Sequence, residues 1–443
     1  VQITGKDLIM TTEKAYQREI FIVDGARTPF LKARGEPGPF SASDLAVNAG
    51  RELLARQLFA PTDLGEVILG CVSPSENEAN IARVVSLRLG CGKSVPAWTV
   101  QRNCASAMQA LDCAAQDIAS GRHELVLAGG TESMSRAPLL WNKKATQWFA
   151  ELSNARKPME KFAKLAEFRF NFLQPVIAIL SGLTDPVAGV SMGQTAENLA
   201  ARFGITREEM DQFSLHSNER LAKAQAAGLL SEIVPLIATN GKLFTQDDGV
   251  RPDTTMEKLA NLKPFFDKKF GQITPGNSSQ ITDGAALIIL ASAEAVKRYK
   301  LPVLGRIVDC HWGALEPEQM GLGPVFAATP IIKRHSLKLT DIDYWEINEA
   351  FAAQVIACQR AWEDKDFCQQ ELGLSSALGK IENDRLNVDG GAIAMGHPVG
   401  ASGARIVLHL LNVLKRNNAK TGMAAICIGG GQGGAMLIER RES

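Results

Sequence analysis

Short apolar runs alternate with amphipathic stretches through the first 136 residues. Residues 19–24 read as a strand that leads into the turn-rich Gly25-Ala-Arg-Thr-Pro-Phe30. Residues 43–57 carry apolar positions at helical spacing, with Ser43 as a candidate N-cap. Next come a strand at 66–71, a helix at 78–89, a strand at 95–101 and a helix at 104–120. A strand at 124–128 then ends in Gly129-Gly130-Thr131-Glu132. The rhythm returns late in the chain, with strands at 303–309, 344–348 and 424–428 and helices at 324–334, from Ala350 onward and at 402–415. Such alternation predicts an α/β fold with a mostly parallel sheet covered on both faces. Residues 127–134 (LAGGTESM) also resemble residues 427–434 (CIGGGQGG), which with the matched element order signals internal duplication.

The segment between the halves, 137–279, breaks the rhythm. It carries a basic stretch (Lys143, Lys144, Arg156, Lys157, Lys161, Lys164, Arg169) opposed only by Glu151, Glu160 and Glu167, then a Phe168-Arg-Phe-Asn-Phe-Leu run. It reads as an inserted, mainly helical lid, or more plainly as a solvated helix face over a hydrophobic seam. Lysine plus arginine equals aspartate plus glutamate at 48 each, so whole-chain charge gives no argument for nucleic acid or an anionic membrane. No apolar run reaches the roughly 20 residues of a membrane span. The opening, residues 1–19, is polar, and its first nine or so residues read as an extension outside the fold. The eight cysteines form no Cys-x-x-Cys pair and no zinc spacing, which suits reduced thiols in a cytoplasmic protein.

Four segments carry candidate chemistry. Cys104 lies where an extended run meets a small-residue helix start, and a helix N-terminus favours thiolate. A cysteine at such a junction is otherwise a packing residue. His397 lies between glycines in Gly390-Gly-Ala-Ile-Ala-Met-Gly-His-Pro-Val-Gly400, where glycine allows close ligand approach, and this setting points to a catalytic base. His123, His216, His311, His335 and His409 read as surface or core residues. Cys427 ends a strand before glycines that also fit G-x-G-x-x-G at Gly429, Gly431 and Gly434. Only nine residues follow Gly434, too few for a dinucleotide fold. Exposed N–H groups there suit a developing oxyanion. Asn348 either caps the next helix, with Glu349 in its first turn, or holds a water or polar group at a substrate.

Taken together and in this order, these segments resemble the thiolases over nearly the whole chain, from Val23-Asp-Gly-Ala-Arg-Thr-Pro-Phe30 to the C-terminal glycines. Supporting matches are Gly129-Gly-Thr-Glu-Ser-Met134, Ser191-Met-Gly-Gln-Thr-Ala-Glu-Asn198 and Asn277-Ser-Ser-Gln-Ile-Thr-Asp-Gly284. The resemblance implies a duplicated, five-layered α-β-α-β-α architecture of two five-stranded halves, with an inserted, mainly helical loop domain. The expected boundaries are 18–136 plus 280–301, 137–279 and 302–443. It implies Cys104 as the acylated nucleophile, His397 as its base and Cys427 as acid/base at the acetyl α-carbon. One oxyanion hole would come from His397 and a water on Asn348, the other from the N–H groups of Cys104 and Gly429. Met192, Phe266 and Ser279 match pocket-lining positions. Coenzyme A and acyl-CoA are implied as substrates, with no cofactor and no metal, in a homodimer or homotetramer.

Three departures narrow the activity. Ser191 stands where short-chain biosynthetic thiolases carry histidine, Asn348 where the trifunctional branch carries histidine, and Pro275 replaces a small residue near the pantetheine path. The expected activity is thiolytic cleavage of 3-ketoacyl-CoA over a broad chain range. The alternatives are a biosynthetic acetyl-CoA acetyltransferase and, remotely, a non-catalytic acyl-CoA-binding protein. Cys427 argues against a decarboxylating ketoacyl synthase, and nothing favours water over coenzyme A as in a cysteine hydrolase. The aromatic run around residue 170 is a candidate for docking a β-oxidation partner subunit or a membrane surface.

Overall fold

The computed structural model describes residues 16–441; the short extension read at the start of the sequence lies outside them. The first half contributes β1 (Ile20–Arg27), β2 (Glu66–Gly70), β3 (Ala97–Val100), β4 (Leu125–Ser133) and β5 (Thr282–Ala291). The second contributes β6 (Gly305–Ala314), β7 (Tyr344–Ile347), β8 (Thr421–Ile428) and β9 (Gln432–Arg440). The spatial order is β3-β2-β4-β5-β1 in the first half and β7-β8-β9-β6 in the second. A parallel bridge from Trp345 to Leu386 extends the second beyond β7. Numbering strands within each half, both follow the order 3-2-4-5-1, so the duplication lies in the topology itself. The halves join edge to edge where Ile20–Ile22 pairs antiparallel with residues 305–307, giving one ten-stranded sheet that includes the short strand Leu31–Lys32 on β5.

A mostly parallel sheet was expected, and the sheet is mixed. β2 pairs parallel with β3 and β4, and β7 with β8. β5 and β9 run antiparallel to both their neighbours. For β9 the reason is the connection: residues 429–431 are too few for a crossover helix, so it must reverse beside β8. β9 itself was not anticipated, because its glycine-rich start hides its apolar alternation.

Alternate side chains along the strands enter different cores, as a period of two requires. Leu125 and Leu127 of β4 pack with α1 (Ala42–Ala55) and α2 (Ile81–Arg88). Val126 and Ala128 pack with α3 (Ser106–Ala119). Met423 and Ala425 of β8 face α4 (Gly323–Arg334) and α5 (Ala352–Glu363), while Ala424 and Ile426 share the central core with α6 (Ser402–Arg416). Helices α3 and α6 also pack on each other between the two halves of the sheet. Three cores between five layers result: helices, sheet, the central pair, sheet, helices. Both faces of each half are buried, which explains the near-continuous apolar runs in the strands.

Several boundaries shift. Ser41, not Ser43, caps α1, in a capping box with Asp44. Ser43 is inside the helix and its hydroxyl takes a bond from Arg88. Asn80 caps α2, which begins at Ile81 rather than at 78. β4 does not stop at the glycines but continues to Ser133.

The inserted segment is mainly helical, with helices Lys143–Asn154, Pro158–Ala166, Met192–Arg202 and Arg207–Ala226 and two small two-stranded sheets. Its basic face is solvated: Lys164 bridges Glu151 and Glu167. Beneath it, Trp148 gathers Phe149, Phe168 and Phe172 edge-on or tilted, whereas Phe170 projects into solvent.

Candidate active site

Cys104 stands in the tight connection between β3 and α3. Asn103 adopts φ 43°, a left-handed conformation that asparagine tolerates, and its Nδ2 donates to the Gly429 carbonyl at 2.8 Å. Ser106 Oγ donates to the Asn103 carbonyl at 2.7 Å and accepts the Arg102 N–H at 2.9 Å, closing the turn. The helix begins only at Ser106, behind Ala105, so Cys104 is not in its first turn. The lowered thiol expected from a helix N-terminus is therefore absent. Burial pushes the Cys104 thiol up to about 11, opposed by the N–H of Gly429 and its own backbone N–H. The Cys104 side chain is a protonated thiol facing an amide donor from the other half of the chain.

His397 follows the short helix Ala392–Met395 and Gly396, whose φ of 104° demands glycine. Its Nδ1 lies 2.6 Å from Ser402 Oγ, and that hydroxyl donates to the Pro398 carbonyl at 3.1 Å. With its proton spent on Pro398, Ser402 accepts from Nδ1–H, which leaves the Nε2 lone pair free. Burial, with Arg405 nearby, pulls His397 down to about 3, so the ring is neutral and Nε2 is its unprotonated nitrogen. Asn348 Nδ2 sits 3.4 Å from that atom, while its Oδ1 accepts from Arg405 at 3.4 Å, which orients the amide. Asn348 does not cap α5, which begins at Ala352 behind Phe351.

Cys427 is the penultimate residue of β8 and is fully buried. Burial first, then the neighbouring thiols of Cys104 and Cys358, hold it well above the ordinary thiol range. Gly430 and Gly431 take φ of 92° and 74° in the turn to β9, and a Cβ on Gly431 would run into the Leu315 carbonyl.

Cys104 opens into a cavity of about 260 Å³. Its walls are Val72, Ser73, Gln101, Asn103, Glu132, Met134, Ala137, Val399 and Gly429, with Ala178, Ile179, Gly182, Leu183 and Met192 from the inserted segment. Met192, as anticipated, lies there. Phe266 and Ser279 do not line this cavity. Phe266 packs over Gly193 and against the Phe351 ring, and Ser279 donates its N–H to the Ala350 carbonyl at 2.9 Å. Ser191 caps the helix Met192–Arg202, and Pro275 is exposed.

Several groups around the site were not singled out from the sequence. Glu349 does not sit in a helix turn but points inward, accepting from Ser217 at 2.7 Å, Asn387 at 2.9 Å and the Ile393 N–H at 3.2 Å. It thereby ties the inserted segment to the glycine loop before His397. Arg405 pairs with Glu346 at 2.9 Å in full burial. A lone arginine within the apolar run of residues 402–414 was the available signal. Among the described residues no group of side chains could hold a metal ion, and no helix is long and apolar enough to cross a membrane.

Residues 20–294 match the family model described as thiolase, N-terminal domain, and residues 301–440 that of thiolase, C-terminal domain. The chain is 41% identical to a beta-ketoadipyl-CoA thiolase of Escherichia coli, over 96% of this chain and all of that one. It is 34% identical to the mitochondrial trifunctional enzyme subunit beta of Bos taurus, over 97% and 90%. The crystal structure of human mitochondrial 3-ketoacyl-CoA thiolase superposes with a TM-score of 0.83 at 36% identity, covering 97% of this chain and all of that one. A duplicated 3-2-4-5-1 sheet, a thiol and an imidazole ahead of the two central helices and two matching domain models lead to one assignment: the chain belongs to the thiolase family.

Proposed function

We propose that this thiolase cleaves 3-ketoacyl-CoA with coenzyme A, and that its acyl substrates are aliphatic chains longer than the acetoacetyl group. The observation that carries the reading is the Cys104 thiol beneath the Gly429 N–H, opening into an apolar cavity. Cys104 Sγ attacks the 3-keto carbon while its proton passes to His397 Nε2. The Cα–Cβ bond breaks, its electron pair leaves as the acetyl-CoA enolate, and Cys427 protonates the α-carbon. The shortened chain stays on Cys104 as a thioester. The thiol of a second coenzyme A then attacks that thioester, giving its proton to the Cys427 thiolate. Cys104 leaves and recovers its proton from His397, so the cycle closes. The Gly429 N–H faces the developing oxyanion of the thioester step, and one such donor contributes roughly 3–4 kcal/mol. The polarised pair of Asn348 and His397 serves the enolate oxygen through a water.

Two features support the chain-length assignment. A cavity of about 260 Å³ is far more than an acetyl group needs. No lysine or arginine lines it, so nothing there complements the terminal carboxylate of a β-ketoadipyl chain. The test is a series of thiolysis rates on 3-ketoacyl-CoAs of increasing length, with β-ketoadipyl-CoA alongside. kcat/KM is expected to rise past acetoacetyl-CoA and to be lowest for the dicarboxylyl substrate. A maximum at acetoacetyl-CoA or at β-ketoadipyl-CoA would overturn the assignment.

A further inference from the structure

Glu132 is a fully buried carboxylate with no cationic partner among the described residues. On β4 its neighbours Thr131 and Ser133 point the other way, donating to the carbonyls of Ala42 at 2.7 Å and Phe40 at 3.0 Å. Glu132 faces the cavity that holds Cys104, where it is the one charged side chain in the wall. Backbone amides replace the missing counter-ion. One carboxylate oxygen accepts the Val72 N–H at 2.9 Å, the other the Ser73 N–H at 2.9 Å, and the Gly400 N–H adds to them. A side chain at position 400 would crowd both the Thr131 carbonyl and the Glu132 carboxylate, so this approach requires glycine. Both clamped segments reach the site: the first supplies cavity wall, and the second runs back through Val399 and Pro398 to His397.

We infer that Glu132 is a positioning residue for this reaction, clamping the turn after β2 to the loop of His397 while its charge opposes thiolate formation at Cys104. A buried carboxylate without a cation is costly, and a structural clamp alone does not need one beside a nucleophile. Burial raises Glu132 to about 7, against the lowering by the Val72 and Ser73 amides. Its charge therefore appears as pH passes neutrality, so the carboxylate is already in place in the more alkaline range where the Cys104 thiol ionises. The titratable groups facing it are Cys71 from the end of β2, with its Sγ at 3.7 Å, and Cys104 from the turn before α3. Glu78 acts one step further off, through Cys71.

The inference rests on Cys104 being the nucleophile. Alkylation by iodoacetamide, read on the Cys104 peptide, reports the thiol without any acyl-CoA, so its failure is distinguishable from failure of thiolysis. In Glu132→Gln the alkylation midpoint is expected to fall by about one pH unit. Glu132→Asp keeps the charge but loosens the clamp, so its midpoint stays near the wild-type value while kcat drops. A Gln profile that superimposes on the wild type, or an Asp profile that shifts as Gln does, would overturn the role of charge. Should the Gln variant not fold, infrared spectra of wild-type protein carrying carboxyl-labelled glutamate decide. A protonated-carboxyl band that fades across neutrality and moves on alkylation of Cys104 is expected, and a band indifferent to alkylation would contradict the inference.

Discussion

The connection from the fourth to the fifth strand is made twice in this chain, in opposite ways. In the second half, residues 429–431 turn β8 directly into β9. In the first half the same step, from β4 to β5, spans residues 134–281 and contains the whole inserted segment. The short version brings the Gly429 amide to Cys104, and Gly430 and Gly431, with φ of 92° and 74°, then turn the chain into β9. The long version supplies one wall of the cavity at Cys104 through Ala178, Ile179, Gly182, Leu183 and Met192. Other correspondences follow the same two-fold logic. Cys104 and His397 both precede a central helix, and the turn after β2 answers Asn348 after β7. On the proposed function, one duplicated framework separates chemistry from selection: its repeated topology places Cys104 and His397, and its long connection lines the cavity that would take the acyl chain.

If that division holds, the largest effect comes from the nucleophile. Cys104→Ser is expected to lower thiolysis by more than about 10⁴-fold with an unchanged thermal midpoint; substantial residual turnover would place the chemistry elsewhere. Next in size is the joint between the two regions. His409 of α6 lies between Glu232 of the inserted segment at 3.0 Å and Asp389 at 3.1 Å. Burial pulls His409 down, but these carboxylates outweigh it and hold it up to about 10. Its folded-state pKa lies above its unfolded value near 6.5. Its stabilisation is therefore complete below about pH 6.5 and is lost as pH rises toward 10. His409→Leu removes one cation from two buried carboxylates, which keep Arg27 and Arg416, and is expected to cost about 1.5–3 kcal/mol at pH 6, read by denaturant unfolding. The deficit should shrink in alkaline solution, and a deficit that does not depend on pH would argue against the charged histidine. The smallest effect is on selection alone. Gly182 lines the cavity with open space around it. Gly182→Leu should leave acetoacetyl-CoA turnover within about twofold while lowering kcat/KM for long chains about tenfold or more. Equal losses on all substrates would show that the inserted segment takes part in the chemistry itself.

The proposed reactive side chains could be picked out in the sequence because each has a local signal, in the glycines around His397 and after Cys427 and in the strand-to-helix change at Cys104. The resemblance of residues 127–134 to 427–434 proved to mark equivalent fourth strands, yet it hid opposite outcomes: β4 continues through its glycines, while β8 turns on them. Strand direction was not legible, since nothing in residues 282–291 says which neighbours they will meet. The buried ion pairs escaped for the same reason. Arg27 with Asp247, Arg405 with Glu346 and His409 with Glu232 join positions far apart in sequence, and each partner alone looks like an ordinary polar residue. Glu132 stood in a motif whose glycines drew attention away from the carboxylate.

The proposed reaction turns on covalent chemistry at one thiol. Incubation with a 3-ketoacyl-CoA in the absence of free coenzyme A, followed by acid quench and peptide mass analysis, tests it most directly. The shortened acyl group is expected on the peptide carrying Cys104 and should vanish when coenzyme A is added. An acyl group on Cys427, or none on any cysteine despite release of acetyl-CoA, would contradict it.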